Sequence, residues 1–245
     1  MLSEITRRVV ALERRRSEAM GSSTALPVVS GIETINEPWT SCVGGSVPFD
    51  TLKSFYVSAY AAIRAQGFDG DVWISDGMCG GNDWIVGVLS PPNYTNVLID
   101  SHIYDAFGGP TASMKPWDIV RYTCGTVAPD LLTRTDRDWT VVGEWSMATS
   151  HQDLPANVSL VPTQPGPLGD GMVWLRAMFG AMTEAFEGTA GGAPAGQGPV
   201  RGWFFWCLKT EGNMPGWSAE WGLEQGVIPA NLSAVQDSEW AFTCS

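Results

Sequence analysis

Two glutamates stand at the ends of short runs of β-branched and aromatic residues, where strands are predicted. Glu37 follows Asn36 in the segment GIETINEPW, and Pro38 ends the strand because proline has no N–H for the next ladder bond. Glu144 lies near the end of the run WTVVGEWS. Hydrolysis of a glycosidic bond uses two such carboxyl groups, one giving a proton to the leaving oxygen and the other attacking carbon. An ordinary solvated loop glutamate is the alternative for Glu37.

A strand predicted between these two also ends in polar residues. Asp100, His102 and Tyr104 share one face of it, because side chains alternate along a strand. His102 and Tyr104 are candidates for hydrogen bonds to a substrate hydroxyl or to a nucleophile, although a lone histidine here also fits a structural role. The other histidine, His151, lies beyond the strand of Glu144, so the histidines form no zinc cluster.

Tryptophan is abundant, with 12 in the chain. Each offers a flat apolar face and an indole N–H, which suits a sugar ring with an apolar C–H face and a rim of hydroxyls. In the aromatic run 202–209, alternate side chains must face the covering helices and belong to the core. The candidates for sugar contacts lie on predicted strand ends or loops: Trp39, Trp145, Trp206 and Trp217.

The candidates are positioned by a repeated pattern of strand, loop and amphipathic helix that occurs five times. The strand runs are almost continuously apolar, as is typical of parallel strands covered by helices. Polar residues collect at the carboxyl ends of the strands and no G-x-G-x-x-G or P-loop motif is present, so an α/β barrel is favoured over a nucleotide-binding sheet. The predicted strands are 28–36, 71–76, 96–104, 139–146 and 202–209. The predicted helices are 49–66, 83–89, 117–132, 171–186 and 232–242.

Five strand–helix units are fewer than the eight of a (β/α)8 TIM barrel. We therefore predict a single catalytic-type domain over residues 1–245 that is an N-terminally truncated barrel. A helix in 1–27 precedes strand 4, and 28–245 holds strands 4–8 with their helices. The first segment has apolar residues at helical spacing between Arg and Glu, which indicates a helix with a solvated face. It shows no signal-peptide pattern.

The 245 residues include 14 Lys and Arg against 26 Asp and Glu, for a formal charge of −12. This balance argues against nucleic acid as a partner, since its binding depends on clustered basic residues. No apolar window of about eighteen residues is present, so we expect no membrane span, and we expect a monomer. Three glycosylation sequons begin at Asn93, Asn157 and Asn231 and are a hint of export.

Four segments together resemble glycoside hydrolase family 5, and most closely its fungal and oomycete exo-β-1,3-glucanase branch. They occur in the family's order with similar spacing, and they are GIETINEPW, DSHIYDAF, VVGEWSMA and GWFFWCLKTEGNMPGWSAEWGLEQGVIP. Leu208 stands where the family usually has a second tryptophan. The family's first three barrel strands, with an Arg, a His and an Asn of its active site, have no counterpart.

The resemblance implies a retaining mechanism on β-glucan, with Glu37 as general acid/base and Glu144 as nucleophile, and it implies no metal or cofactor. It also implies a secreted or cell-wall enzyme. Trp206 would be the platform under the reacting sugar, and Asn36 would hold its 2-hydroxyl. His102 and Tyr104 would contact the nucleophile and the reacting sugar. Trp39 and Trp145 remain candidates for sugar contacts by their predicted positions alone.

The five cysteines fit the same resemblance, which implies a disulfide between Cys124 and Cys244. Cys42 and Cys79 lie in loops after consecutive predicted strands and could pair as well. Cys207, within the last strand, is expected to be a buried thiol. Five reduced cysteines are the alternative.

Two other functions stand beside an exo-glucanase that releases glucose from non-reducing ends. The missing strands favour a non-catalytic remnant that at most binds glucan through its tryptophans. An endo-acting β-glucanase, cellulase or mannanase of the same family would share both glutamates and differ in its loops.

Overall fold

The computed structural model describes residues 1–20, 27–80, 84–85, 87–135, 140–150, 170–188, 198–212, 214–232 and 244. By its internal contacts the chain divides into two compact units. The first is built mainly from Met1–Ser101, and the second from His102–Asp136 and Thr140–Ser245. None of the described helices combines the length and the apolar character needed to cross a bilayer.

The first unit alternates helices with parallel strands. Its elements are α1 (Leu2–Ala19), β1 (Gly31–Glu33), α2 (Phe49–Arg64), β2 (Asp71–Ser75) and the first part of β3 (Val97–Asp105). The strand order is β1-β2-β3, and both pairs are parallel. The carboxyl ends of these strands therefore lie at one edge, and their amino ends at the other.

Helix α2 covers this sheet with one apolar stripe. Leu52, Tyr56 and Ile63 recur at helical spacing and are buried, and the first two pack with Ile74 of β2. The Tyr56 hydroxyl donates a 2.7 Å hydrogen bond to the carbonyl of Ser75 at the end of β2. Burial raises the pKa of this hydroxyl far above its usual range, so it remains a donor at any physiological pH.

The amino ends of the strands are fixed by charged side chains from the helices. Arg64, at the end of α2, donates hydrogen bonds to the carbonyls of Gly70 and Thr95, at 2.7 and 2.8 Å. Glu13 of α1 accepts the backbone N–H groups of Val28 and Val29. Each charged group thus satisfies backbone atoms of the segments that lead into β1, β2 and β3.

The second unit continues β3 and builds its core on one long helix. Its elements are α3 (Pro116–Tyr122), a π-helical segment (Thr123–Val127), α4 (Ala128–Thr135), β4 (Thr140–Thr149), α5 (Asp170–Glu187), β5 (Trp203–Phe205) and α6 (Ala219–Glu224). The strand order is β3-β4-β5, with β4 and β5 parallel. Residues of α5 pack on β4 in one buried cluster that includes Val142, Trp145, Leu175, Met178, Phe179, Met182 and Phe186.

Every predicted strand overlaps an observed one. Strands β3 and β4 extend past their predicted ends, to Asp105 and Thr149, whereas the first and last strands pair over only three residues. The predicted helix 83–89 is wrong: the described residues 84–85 and 87–89 form turns, and Gly87 has a φ of 78° that no α-helix accommodates. Helix α6 has no counterpart in the prediction. The predicted helix 232–242 lies outside the described residues except for Leu232.

Two disulfides are present, one in each unit. Cys124 and Cys244 are joined with a Cα separation of 5.1 Å, which confirms the implied pair, and Cys42 and Cys79 are joined at 5.2 Å. Cys207 has a free thiol that is partly exposed. The expectation of a buried thiol is wrong, because the residue lies beyond the paired part of β5.

Removing the Cys124–Cys244 disulfide in a C124S/C244S variant should lower the free energy of unfolding by about 5 kcal/mol, since the bond closes a loop of 120 residues in the unfolded chain. Urea unfolding followed by tryptophan fluorescence measures the change. Cys207→Ser is the matched control and should leave the midpoint unaltered. A double variant that unfolds at the parent's midpoint would refute a structural role for this bond.

Candidate active site

Glu144 owes its position to a bulge in β4. Val142 pairs with Trp203 of β5 and Trp145 pairs with Phe205, so β4 has one more residue than β5 over this stretch. An extra residue breaks the alternation of side chains and turns one of them to a new direction. As a result Val142 and Trp145, three residues apart, are both buried in the core with α5, while Glu144 between them is partly exposed.

The Glu144 carboxylate is hydrogen-bonded to one side chain of β3 and lies close to a second. The Tyr104 hydroxyl donates a hydrogen bond to Oε2 at 2.7 Å, and Nδ1 of His102 lies 3.6 Å from the same oxygen. The His102 side chain is 4% exposed and that of Glu144 is 18% exposed, so the carboxylate reaches solvent from an enclosed position. The structure brings these three predicted site residues together.

Two further aromatic rings pack on Tyr104, which donates to this carboxylate. The Tyr104 ring meets Phe107 edge-on at 5.3 Å and Trp217 at 5.5 Å, and the last two rings are 5.8 Å apart. Phe107 is 76% exposed, which is unusual for a side chain of this size. Sequence analysis did not select Phe107, although it belongs to the segment DSHIYDAF; the signal was an aromatic residue in a loop directly after a strand.

Trp206 lies immediately after β5, next to the strand that carries Glu144. Its backbone N–H donates to the carbonyl of Trp145 at 2.8 Å, and its side chain is 50% exposed. The following residue, Cys207, donates its N–H to the carbonyl of Trp217 at 2.7 Å. The chain after β5 therefore leaves the strand and pairs with the segment before α6, which leaves the Trp206 indole at the surface.

Trp145 does not face a substrate, and its assignment as a sugar contact is wrong. The side chain is 0% exposed and its indole N–H has no hydrogen-bond partner among the described residues. Its ring is surrounded by four others at centroid distances of 5.0 to 5.5 Å, from Phe179, Phe186, Trp203 and Phe205. The bulge at Glu144 directs Trp145 into the core under α5, where its ring packs against these aromatic side chains.

In the first unit, the loop after β1 carries the predicted residues Asn36, Glu37 and Trp39. Asn36 and Trp39 are exposed, and Glu37 is partly exposed. Glu37 has a φ of +42°, in the left-handed region that costs a residue with a side chain roughly 1–2 kcal/mol. Such a conformation persists only where neighbouring contacts fix the backbone.

The contacts that fix this loop come from the loop after β2. The hydroxyl of Thr40 donates to the carbonyl of Gly77 at 2.8 Å, and the Cys42–Cys79 disulfide joins the same two loops. Gly45 lies so close to Trp39 that a Cβ at this position would be 2.0 Å from the Trp39 carbonyl oxygen. Only glycine fits there, and the backbone on either side of Trp39 is held in place.

Asp105, the last residue of β3, is a buried carboxyl group that sequence analysis did not select. It is 6% exposed, its side chain accepts a hydrogen bond from Thr111, and its Oδ2 has no partner among the described residues. Its carbonyl accepts from the N–H of Ser150 at 2.8 Å. Burial raises the pKa of the Asp105 carboxyl to about 6, against the opposing effect of Thr111.

The comparison with solved structures establishes the class of fold. The structure is similar to the crystal structure of a rutinosidase from Aspergillus niger, with a TM-score of 0.52 and 15% identity over 80% of this chain and 50% of that chain. The predicted class, an α/β barrel of which about the last five β/α units are present, is confirmed. No protein-family model matches the chain.

Curated proteins of similar sequence indicate the class of enzyme to which this chain is similar. The chain is 30% identical over 228 residues to a probable glucan 1,3-beta-glucosidase A of Aspergillus terreus and 28% identical over 229 residues to a glucan 1,3-beta-glucosidase of Blumeria graminis. Each match covers 84% of this chain and 50% of the relative, so the chain spans about half the length of these curated relatives. The resemblance to the exo-β-1,3-glucanase branch of glycoside hydrolase family 5 is confirmed.

The raised pKa of Asp105 predicts a pH-dependent stability. The folded protein binds this proton more tightly than the unfolded chain, where the group titrates near 3.8, so the stabilisation is complete below pH 4 and is lost as the pH rises through 6. The change is about 3 kcal/mol, and Asp105→Asn should abolish it. Thermal unfolding of parent and variant between pH 4 and 7 measures the difference. Parallel pH profiles would refute it.

Proposed function

We propose that the protein is a retaining glycoside hydrolase that acts on β-1,3-glucan from the non-reducing end and releases glucose. The observation that carries the proposal is the Glu144 carboxylate, held by Tyr104 and His102 at a bulge and partly open to solvent. The names of the sequence relatives support the substrate class, since each is a glucan 1,3-beta-glucosidase.

In the proposed mechanism Glu144 is the nucleophile. Tyr104 and His102 approach Oε2, so Oε1 is the oxygen that attacks the anomeric carbon. A hydrogen bond to a charged group is worth about 1.5–3 kcal/mol, and it fixes the direction of attack. The product of this step is a glycosyl ester of Glu144, which water then hydrolyses with net retention at the anomeric carbon.

Glu37 is the proposed general acid/base. It gives its proton to the glycosidic oxygen as the bond to the leaving sugar breaks, and then takes a proton from the attacking water. A proton donor must be held in one direction, and the fixed backbone around Glu37, with its positive φ and the disulfide nearby, is consistent with this role. Asn36, one residue earlier and exposed, is the proposed partner of the sugar 2-hydroxyl.

The proposed sugar platform is Trp206. Its half-exposed indole lies one residue beyond β5 and is joined by a backbone hydrogen bond to the strand of Glu144. Trp39, exposed in the first unit, is a second proposed contact. A neutral polysaccharide also agrees with the formal charge of −12, which repels anionic polymers.

We propose that the protein works outside the cell or in the cell wall. Two disulfides support this, because such bonds form and persist in oxidising compartments and are rare in the cytosol.

A non-catalytic glucan-binding protein is the second candidate. The observation that favours it is the exposure of Trp39 and Trp206, whose indole faces can bind a sugar without any catalytic step. Such a protein would keep the exposed tryptophans and bind glucan without turnover.

Glu144→Gln should lower glucose release from laminarin by about three orders of magnitude or more, since the neutral amide cannot form the glycosyl ester. A coupled glucose assay measures the rate, and chromatography of the products separates glucose from oligosaccharides. Glu224→Gln, on an exposed residue of the same unit, is the matched control and should retain the parent rate. Undiminished activity of the Glu144 variant would overturn the assignment, and an inactive parent chain would favour the second candidate.

Trp206→Ala should weaken binding to laminarin by about tenfold or more, because stacking on a desolvated aromatic face is lost. Affinity electrophoresis in laminarin gels measures binding without any need for turnover. Phe204→Ala is the control, since Phe204 lies on β5 two residues before Trp206, is 53% exposed and has no proposed contact with sugar. Equal retardation of the two variants would contradict the platform role.

A further inference from the structure

One sequon lies on an exposed turn of the first unit, in the tripeptide Asn93-Tyr94-Thr95. The turn follows Pro91 and Pro92 and precedes β3. Asn93 and Thr95 are both exposed. The two side chains that define an acceptor site for an N-linked glycan are therefore at the surface of the folded protein, where a bulky polar group can remain in water.

The backbone of this turn is held firmly by neighbouring side chains. The Thr95 carbonyl accepts hydrogen bonds from Arg64 at 2.8 Å and from the Tyr60 hydroxyl at 3.2 Å, and the Thr95 N–H donates to the Tyr60 hydroxyl at 3.1 Å. The Tyr94 ring meets the Tyr60 ring edge-on at 5.1 Å. These contacts hold the turn through Thr95 and Tyr94, and none of them uses the Asn93 amide.

The position of the sequon also separates it from the predicted catalytic residue of this unit. Asn93 precedes the amino end of β3, whereas Glu37 follows the carboxyl end of β1. Since β1, β2 and β3 are parallel, the two residues belong to opposite edges of the sheet. A glycan on Asn93 leaves the edge that carries Glu37 uncovered.

We propose that Asn93 carries an N-linked glycan. The amide nitrogen Nδ2 forms a bond to the anomeric carbon of a lipid pyrophosphate-linked oligosaccharide, the lipid pyrophosphate leaves, and the amide gives up one proton. The disulfides support the proposal independently, because the oxidising compartment in which they form is the one in which such glycans are attached. The modification does not depend on the proposed enzymatic activity.

The other sequons provide the comparison. Asn231 is also exposed, at the end of the described stretch 214–232, and Asn157 lies outside the described residues. Asn231 has serine rather than threonine as its third residue. It serves as a second exposed sequon, in the second unit, for comparison.

The test is translation of the full chain behind a cleavable leader in the presence of endoplasmic-reticulum microsomes. The protease-protected product is treated with N-glycosidase and mapped by mass spectrometry, in which a formerly glycosylated asparagine is read as aspartate. We expect aspartate at position 93 in the parent and in Thr95→Ser, and unmodified asparagine in Thr95→Ala. Asn231→Gln should leave the result at position 93 unchanged.

A protected parent chain that retains asparagine at position 93 would overturn the proposal. Because the glycan is attached before folding is complete, the residue at position 93 can be determined in the parent and in Thr95→Ser even if another variant fails to fold. The mapping uses no substrate, and a negative result here is therefore distinct from a failure of the proposed hydrolase function.

Discussion

The extra residue in β4 opposite β5 is the constraint on which the second unit depends. A regular strand would send residues 142, 144 and 146 to one face, and 143, 145 and 147 to the other. The bulge between Val142 and Trp145 breaks this order, so that Trp145 enters the aromatic core under α5 while Glu144 turns toward β3. The same irregularity thus supplies the largest buried side chain of this unit and the direction of its proposed nucleophile.

In the first unit the corresponding constraint is a set of hydrogen bonds from α2 to both ends of the strands. Tyr56 donates to a backbone carbonyl at the carboxyl end of β2, and Arg64 donates to backbone carbonyls of the segments that lead into β2 and β3. With the strands fixed, the loops that follow β1 and β2 are joined by Thr40 and by the disulfide. The strained backbone of Glu37 is tolerated because these contacts leave the loop little freedom to relax.

Most strands and long helices could be predicted, because the apolar runs and the helical spacing are properties of short segments. The failures have tertiary causes. The described part of the expected helix 83–89 forms turns instead. There the Trp84 ring stacks on Phe49, and its indole N–H donates a hydrogen bond to the carbonyl of Asp76. The last strand ends at Phe205 because Cys207 finds its backbone partner in Trp217 instead of in β4. These partners lie outside the segment whose pattern was used for each prediction, so the local pattern does not indicate the contacts.

The sequence by itself determined the alternation of strands and helices, the polar residues at the strand ends, the four family segments and the candidate glutamates. These follow from residue type and from periods of two and 3.6, which are local. Only the tertiary structure decided that Tyr104 and His102 approach the same oxygen of Glu144, that Phe107 and Trp217 pack on Tyr104, and that Trp145 is core. It also revealed the buried carboxyl of Asp105. The physical reason is that a bulge, a buried charge and a contact between distant segments depend on packing, which the local pattern of residues does not encode.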